Sequence, residues 1–376
     1  MNNCTIYFYA TLGDMTRPAF GGGEVGNRRT IGLLKQIGYK VVPIPKYARS
    51  EGYSFSILCH KFIAIIKNLC GYLRILLKGN RENGIVHIAG FSGSMVYWTL
   101  ILIYISKFLG YKTVYELRGG GIVSQYRSNN KFYRYCFNKA IRKADCIFSQ
   151  GEENKPLIMS INPHMDFYYY PNYVEDGFSP EAYPVKPEDV LNLIYFGRLS
   201  HTKNIGTIID TFNEVSALVP ICTTLTIIGA PENEEYFNIV KRKIEESPYK
   251  EYVTLLTRCS HNVLKEYLVD KHFFVFPTRE NGEGHSNSMT EAMAWGIIPV
   301  ATDQGFNKDV IDCNELIVHD ISKESISAVI VKLFREKSIE RYSRSIYNRT
   351  QKLYSYKSAL EGLTSKYNEL FKNGIE

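Results

Sequence analysis

Short apolar segments alternate with segments of helical periodicity along almost the whole chain of 376 residues. In the first half this pattern predicts strands at Thr5–Tyr9, Lys40–Ile44, Ile85–Ile88, Thr113–Glu116 and Cys146–Ser149, and helices at Gly26–Gln36, Lys61–Leu77, Ser94–Phe108 and Lys131–Lys143. In the second half it predicts strands at Leu193–Phe196, Thr224–Ile228, Val253–Leu256, Phe273–Phe276, Ile298–Ala301 and Glu315–Val318, and helices at 204–218, 233–246, 261–270, 287–295 and 322–335. Such alternation predicts an α/β fold in which parallel sheets are covered on both faces.

The stretch from Tyr170 to Asp189 interrupts this alternation, because it contains four prolines and has no apolar periodicity. We therefore predict an N-terminal domain over residues 1–172, a linker over 173–189 and a C-terminal domain over 190–356. A final helix at about 357–376 is expected to pack back on the first domain. The hydrophobic content of 45% is enough for two cores of about 150 residues each.

Charge is distributed unevenly: residues 1–176 hold 22 Lys or Arg against 11 Asp or Glu, and residues 177–376 hold 23 against 27. The basic half is expected to meet an anionic partner. No nucleic acid is expected, because the chain has no aromatic RNA-binding signature and no basic recognition helix. An anionic membrane surface and a phosphorylated lipid acceptor both fit.

Location is predicted to be cytoplasmic. The eight cysteines are scattered without metal-ligand spacing, as reduced thiols are. No signal peptide is recognised, and the longest apolar run, Met95–Ile105, is shorter than the roughly 18 residues needed to span a bilayer.

The segment from Glu283 to Gly296 (EGHSNSMTEAMAWG) follows an apolar strand and runs into a predicted helix. Backbone amides at Ser286, Asn287 and Ser288 would be available to a phosphate at the start of this helix. Glu291 could accept hydrogen bonds from ribose hydroxyls, and Glu283 could reach a sugar. The other interpretation is an acidic loop that complements the helix dipole, with one solvated glutamate.

A second motif, Gly197 to Lys203 (GRLSHTK), also follows an apolar strand. Arg198 offers a fork for two phosphate oxygens and Lys203 a mobile point charge. Together they could neutralise a diphosphate leaving group, although a solvated basic loop is the alternative.

A third motif, Gly21-Gly22-Gly23-Glu24-Val25-Gly26, matches the G-x-G-x-x-G pattern of dinucleotide-binding dehydrogenases. Its glycines stand too far beyond the first strand, and no acid follows the second strand to bind a ribose hydroxyl. A glycine loop in which Gly22 and Gly23 approach a phosphate fits better, and a structural helix start is the other interpretation.

In this order and at these spacings, the motifs resemble family 4 of the glycosyltransferases, the retaining enzymes of the GT-B fold. The resemblance covers nearly the whole chain. It is carried by the glycine-rich loop, by G-R-L-x-x-x-K and by E-G-x-x-x-x-x-x-E-A, with Tyr170-Pro171-Asn172 and Phe276-Pro277-Thr278 as further matches.

The resemblance implies GT-B architecture, in which two Rossmann-like, doubly wound parallel-sheet domains face one another across a cleft. It implies that Arg198 and Lys203 bind the donor diphosphate, Glu291 the ribose and Glu283 the transferred sugar, with Arg198, Lys203 and Glu283 as the catalytic residues. The predicted nucleotide-sugar site comprises Gly22, Gly23, Arg118, Gly197, Arg198, Lys203, Glu283, Gly284, His285, Ser286, Asn287, Ser288 and Glu291.

One departure concerns the N-terminal domain. Where the family often has His-Gly after a strand, this chain reads Glu116-Leu117-Arg118-Gly119, so Arg118 occupies the position of the histidine. An arginine at this position would meet a phosphate or an acidic sugar.

The chain contains no D-x-D motif, so protein cations and a helix end are expected to stabilise the leaving diphosphate without a metal or cofactor. We predict a glycosyltransferase, retaining as the resemblance implies, that moves a sugar from a UDP- or GDP-sugar to a saccharide or polyprenyl-linked glycan acceptor in bacterial surface polysaccharide biosynthesis. The alternatives are another GT-B enzyme, such as a sugar-nucleotide epimerase, and a non-catalytic membrane-associated binding protein.

The predicted helix from Lys61 to Lys78 places Lys67, Arg74 and Lys78 on one face between apolar flanks. Basic amphipathic helices lie on anionic membranes, so peripheral attachment to the inner face of the cytoplasmic membrane is one interpretation. A core helix with a solvated basic stripe is the other.

Overall fold

The computed structural model of the protein describes residues 4–17, 22–46, 55–91, 93–128 and 130–372, with the side chains of residues 55–61 and 91 outside the description. Gly21, the first glycine of the third motif, also lies outside the described residues. The chain forms two compact units: Met1–Tyr170 with Leu360–Glu376, and Pro171–Ala359. Each unit contains one six-stranded parallel sheet.

The first unit is built from six strands and the helices that connect them. Its strands are β1 (Thr5–Ala10), β2 (Lys40–Pro45), β3 (Gly84–Phe91), β4 (Lys112–Arg118), β5 (Cys146–Ser149) and β6 (Asp166–Tyr169). Its connecting helices are α1 (Gly22–Ile37), α2 (Phe55–Leu77), α3 (Met95–Phe108), α4 (Ile122–Arg127), α5 (Lys131–Lys143) and α6 (Lys155–Ile161). The sheet order is β2-β1-β3-β4-β5-β6, with all neighbours parallel.

The central strands of this sheet are apolar because helices cover both faces. All six residues of β1 are buried, and so are the last six of β4. Right-handed crossovers place α1 on one face and α2, α3 and α5 on the other. The core on the second face is rich in tyrosine, and the ring of Tyr72 from α2 packs edge-on against Tyr9.

The second unit is likewise built from six strands and the helices that connect them. Its strands are β7 (Val190–Phe196), β8 (Cys222–Ile228), β9 (Val253–Leu256), β10 (Phe273–Phe276), β11 (Ile298–Thr302) and β12 (Ile317–Val318). Its helices are α7 (Ile205–Leu218), α8 (Glu234–Glu245), α9 (His261–Leu268), α10 (Asn287–Ala294), α11 (Asn307–Ile311), α12 (Lys323–Arg335) and α13 (Ile339–Leu353). The order β12-β11-β10-β7-β8-β9, all parallel, is that of a Rossmann sheet.

The final helix, α14 (Tyr356–Lys372), returns the chain to the first sheet. Tyr367 is fully buried, and its hydroxyl lies 2.5 Å from Nδ1 of His87 on β3. Lys366 forms an ion pair with Asp166 of β6. The first unit is therefore completed by residues from both ends of the chain.

All eleven predicted strands are confirmed, with ends shifted by at most three residues. The nine helices predicted within the two domains also occur, but α1 and α2 begin four and six residues earlier than predicted. Gly22 and Gly23 form the first turn of α1 instead of the predicted loop. The prediction missed β6, an edge strand of half-buried tyrosines (DFYY) without a continuous apolar run.

Candidate functional site

In the second unit the strand order reverses between β7 and β10, which are parallel neighbours. Ligands of doubly wound sheets bind beyond the carboxyl ends of the strands at such a point. The loops that follow β7 and β10 leave the sheet at the same edge. They contain the Gly197–Lys203 motif and the Glu283–Glu291 motif, so the fold brings the two motifs together.

The loop after β7 follows a tight course. Gly197 has a φ of 143°, and its carbonyl oxygen would lie 1.7 Å from a Cβ on Gly229, so only glycine fits at that second position. Beyond Arg198 the chain forms one 3-10 turn over His201–Lys203. Asn204, with a φ of 56°, then starts α7. This course directs the Lys203 side chain toward the loop after β10.

Hydrogen bonds join the two loops. The backbone N–H of Arg279 donates to the carbonyl oxygen of Thr202 at 2.8 Å. The hydroxyl of Thr278 donates to the same oxygen at 3.4 Å. The sequence motifs indicate neither contact, because both arise from the parallel pairing of β7 with β10.

Lys203 lies between two carboxylates. Its ammonium group is 3.0 Å from Oε2 of Glu280 and forms a short ion pair with Oε2 of Glu283. It also lies 5.2 Å from the ring centroid of Phe276. The sequence predicts a mobile cation at this position, whereas the side chain is 11% exposed and paired, because a buried ammonium group requires compensating charge. Glu280 is a site residue that the sequence analysis missed.

Glu283 is buried, and one of its carboxylate oxygens is held by two side chains. Its Oε2 also accepts a hydrogen bond from the Thr278 hydroxyl at 3.0 Å. Burial raises the pKa of Glu283 above its ordinary value, although Lys203 opposes the shift. The backbone N–H of Phe306 donates to the Glu283 carbonyl at 3.2 Å, and a Cβ on Gly305 would lie 1.9 Å from that oxygen. The loop before α11 therefore supports Glu283.

Arg198 differs from Lys203, because its side chain is exposed. Within the part of the chain that the structure describes, no carboxylate forms a salt bridge with it. Its backbone carbonyl accepts a hydrogen bond from the buried hydroxyl of Tyr195 at 2.8 Å, which holds the turn. Arg198 is thus a cation free to bind an anion at this edge of the sheet.

The start of α10 adjoins the same edge. Ser286 caps the helix, with its Oγ accepting from the N–H of Met289 at 3.3 Å. A Cβ on Gly197 would lie 3.6 Å from Oγ of Ser288, which shows how close the helix comes to the end of β7. The amides of Asn287 and Ser288 lie in the first turn, where they have no acceptor within their own helix. Such a helix start favours a phosphate.

Two other predicted residues of this segment are buried. Glu291 is 6% exposed on α10. The His285 ring accepts from the N–H of Asn172 at 3.2 Å and lies 2.8 Å from the Thr290 hydroxyl through its other nitrogen. Burial lowers the pKa of His285 to about 3. The His285 side chain therefore holds the segment after Pro171 to the start of α10.

Arg118, Gly22 and Gly23 belong to the first unit. Arg118 is 2% exposed at the end of β4, and its Nε donates to Glu116 at 2.7 Å. The other oxygen of Glu116 lies 2.9 Å from Nε2 of His87, whose Nδ1 contacts α14. Burial alone would raise the pKa of Glu116, but Arg118 and His87 lower it below its ordinary value. The structure therefore gives Arg118 an internal partner.

The predicted site residues thus fall into two groups. In the second unit Lys203 is paired with Glu283 and Gly197 lies beside Ser288, and the other predicted residues of that unit lie on the same two loops and on α10. Gly22, Gly23 and Arg118 form the second group, in the first unit. Among the described residues, no group of three or more His, Cys, Asp or Glu side chains could hold a metal ion. The described ranges also contain no helix with the length and apolar character that crossing a membrane requires.

Solved structures identify the fold. The sucrose-phosphate synthase of Thermosynechococcus elongatus matches with a TM-score of 0.71 and 16% identity, over 98% of this chain and all (100%) of that one. A glycosyltransferase of Rickettsia africae gives 0.71 and 16%, over 100% of both chains. HepE of Anabaena in complex with UDP gives 0.68 and 12%, over 98% and 100%. The chain therefore has the GT-B fold, composed of two Rossmann-like domains.

Sequence comparison finds a family similarity in the second unit. Residues 182–352, which contain β7 to α12 and most of α13, match the family model described as "Glycosyl transferases group 1". The second unit is therefore similar in sequence to the group 1 glycosyltransferases. No curated protein sequence matches the chain.

Proposed function

We propose that the protein is a retaining glycosyltransferase that transfers a sugar from a nucleoside-diphosphate sugar to a saccharide or polyprenyl-linked glycan. The observation that carries the proposal is the Lys203–Glu283 pair, with Arg198 on the same loop as Lys203, at the strand-order reversal of a domain that matches the group 1 family model. This edge of the sheet is where doubly wound domains bind nucleotides.

The proposed role of the cations is to stabilise the leaving group. When the bond between the anomeric carbon and the diphosphate breaks, negative charge develops on the diphosphate and positive charge on the sugar. Arg198, which has no ion-pair partner among the described residues, would bind the diphosphate through its guanidinium fork. Lys203 would approach the same group, and the first-turn amides of α10 would supply further donors. One hydrogen-bond donor placed in this way commonly increases the rate by a factor of about 10²–10³.

Glu283 is proposed to bind the transferred sugar rather than attack it. One of its oxygens is held by two donors, Lys203 and Thr278, which favours a binding role over that of a covalent nucleophile. We therefore favour attack by the acceptor hydroxyl on the same face. The acceptor oxygen bonds to the anomeric carbon as the phosphate oxygen leaves, and the hydroxyl proton passes to the departing diphosphate, so configuration is retained. Glu291 is proposed to bind the ribose.

Uridine nucleotides are the first donors to test. HepE has been solved with UDP and with UDP and glucose, and a TarM structure contains UDP. We propose that no metal is needed, because protein cations replace it. The proposed setting is bacterial surface polysaccharide biosynthesis at the cytoplasmic face of the membrane, where polyprenyl-linked acceptors reside.

The test is a transfer assay with a panel of UDP- and GDP-sugars and glycan acceptors, with the product linkage read by NMR. We expect one donor to be consumed, the donor's anomeric configuration to be kept, and turnover to survive EDTA. Inversion at the anomeric carbon would overturn the retaining mechanism, and loss of turnover with EDTA would overturn the metal-free one. Epimerised nucleotide sugar without transfer would indicate a sugar-nucleotide epimerase.

A further inference from the structure

Helices α2, α3 and α5 pack side by side on one face of the first sheet. The hydroxyl of Tyr72 on α2 lies 2.5 Å from Oγ of Ser106 on α3. The ring of Tyr97 on α3 stacks on Phe132 of α5, with centroids 5.4 Å apart. We call the outward surface of these three helices the α2–α3–α5 face.

This face exposes an unusual amount of apolar surface. Nine of the sixteen large hydrophobic side chains that are exposed among the described residues lie on it, with Phe108 at 91% exposure. They are Phe62, Ile63, Ile66, Leu77, Ile101, Tyr104, Phe108, Phe132 and Tyr135. Exposed apolar residues on three adjacent helices indicate an interaction surface rather than scattered exposure.

Every charged residue of these three helices is a lysine or an arginine. Their 23, 14 and 13 residues include nine Lys or Arg and no Asp or Glu. Asp145, which follows α5, is paired with Lys107 at 2.7 Å. In contrast, α8 of the second unit contains three glutamates beside its three basic residues. The helices that expose the apolar side chains therefore carry only positive charge.

On α2 the two properties form adjacent stripes. Phe62, Ile66 and Leu77 project within about 60° of one another around the helix axis at 100° per residue. Lys67 and Arg74, with Lys78 directly after the end of the helix, follow on one side of this stripe, and all six side chains are exposed. A helix with an apolar stripe bordered by lysine and arginine inserts its apolar side into the interface of a bilayer while the cations meet anionic headgroups.

We propose that the α2–α3–α5 face docks on an anionic lipid bilayer. Nucleic acid would account for the cations but leave the exposed isoleucine and phenylalanine side chains in water. A second protein chain would require an acidic, apolar surface to match. A bilayer with anionic headgroups satisfies both properties. In the proposed function, which this inference extends, docking would hold the first unit where a polyprenyl-linked acceptor resides.

The experiment is flotation of the full-length protein with vesicles of phosphatidylcholine alone and of phosphatidylcholine with 30% phosphatidylglycerol. We expect binding to the anionic vesicles, weaker binding at high salt, and little binding to the neutral ones. Charge reversal of Lys67, Arg74 and Lys78 to Glu should weaken binding at least about 100-fold, since each basic side chain near an anionic surface contributes about fivefold. Phe108→Ser should weaken it about tenfold.

Matched variants lie on the second unit. Reversal of the exposed Lys241, Arg242 and Arg335 to Glu, and Val185→Ser, should leave vesicle binding unchanged. No binding to anionic vesicles would overturn the proposal, as would equal binding to neutral ones or equal effects of the matched variants. Binding to an oligonucleotide or self-association that Phe108→Ser abolishes, without vesicle binding, would assign the face to another partner. UDP binding, measured separately, distinguishes failure of docking from failure of the proposed function.

Discussion

We expect Glu280 to compete with the proposed donor for Lys203, and the substitution Glu280→Gln tests this. A diphosphate that reaches Lys203 must displace the Glu280 carboxylate, which lies 3.0 Å from the ammonium group. The glutamine keeps the shape of the side chain and removes its charge. We therefore expect the variant to bind UDP more tightly than the wild type.

The magnitude follows from distance and exposure. Two unit charges 3.0 Å apart attract by about 5.5 kcal/mol at an effective dielectric constant of about 20. The Glu280 side chain is 40% exposed, so solvent reduces the net contribution to about 1 kcal/mol, as for measured surface pairs. A gain of about 1 kcal/mol lowers the Kd for UDP about fivefold.

Titration calorimetry of UDP into wild type, Glu280→Gln and Glu245→Gln measures this difference. Glu245 is the matched control, because it pairs with Lys250 at 3.1 Å on the surface of the same unit. Its substitution should leave the Kd unchanged. Unchanged or weaker UDP binding by Glu280→Gln would refute the competition, since it would mean that Lys203 does not reach the diphosphate or that Glu280 is itself a ligand.

Three further predictions concern stability. Gly229→Ala should lower the free energy of unfolding, measured with urea, by about 3 kcal/mol or more, because its Cβ would lie 1.7 Å from a backbone oxygen. Gly206→Ala in α7 should not lower it. Equal effects of the two substitutions would contradict the close approach. The pKa of His285 falls from 6.5 to about 3 on folding, so the contribution of His285 to the free energy of unfolding is complete above pH 6.5 and declines below it. The destabilisation caused by His285→Asn should therefore shrink by about 2 kcal/mol between pH 7.5 and 5. A pH-independent difference between wild type and variant would exclude this contribution. Arg118→Met should cost about 3–5 kcal/mol, because it leaves Glu116 buried without its cation; a loss below about 1 kcal/mol would show that the pair is dispensable.

The fold could be predicted because its strands are continuous apolar runs separated by helical periodicity. β5, β9 and β10 begin and end where the sequence places them. The edge strand β6 was missed, because its half-buried tyrosines do not form such a run. The start of α1 was missed for a different reason: Gly22 and Gly23 are poor helix formers, yet they occupy its first turn.

The candidate site could be predicted only in part from the sequence. The two motifs of the second unit predict where cations and carboxylates stand in the chain, and the sheet order explains why they meet. Pairing was not predictable, because Lys203 meets Glu280 and Glu283 across a separation of about 80 residues. Arg118 shows the same limit, since the acid that neutralises it is only two residues away but its burial depends on the packed domain. The one sequence feature that could have indicated Glu280 is its position, three residues before Glu283.

The most direct test of the proposed site compares UDP with uridine in titration calorimetry, using wild type, Arg198→Ala and, as a control, Arg242→Ala on the surface of α8. A site built to hold a diphosphate should bind UDP far more tightly than uridine. Arg198→Ala should weaken UDP binding about 10- to 100-fold, as expected for a hydrogen bond to a charged group, and leave uridine binding unchanged. Equal affinity for UDP and uridine, or undiminished UDP binding by Arg198→Ala, would contradict a diphosphate site between β7 and β10.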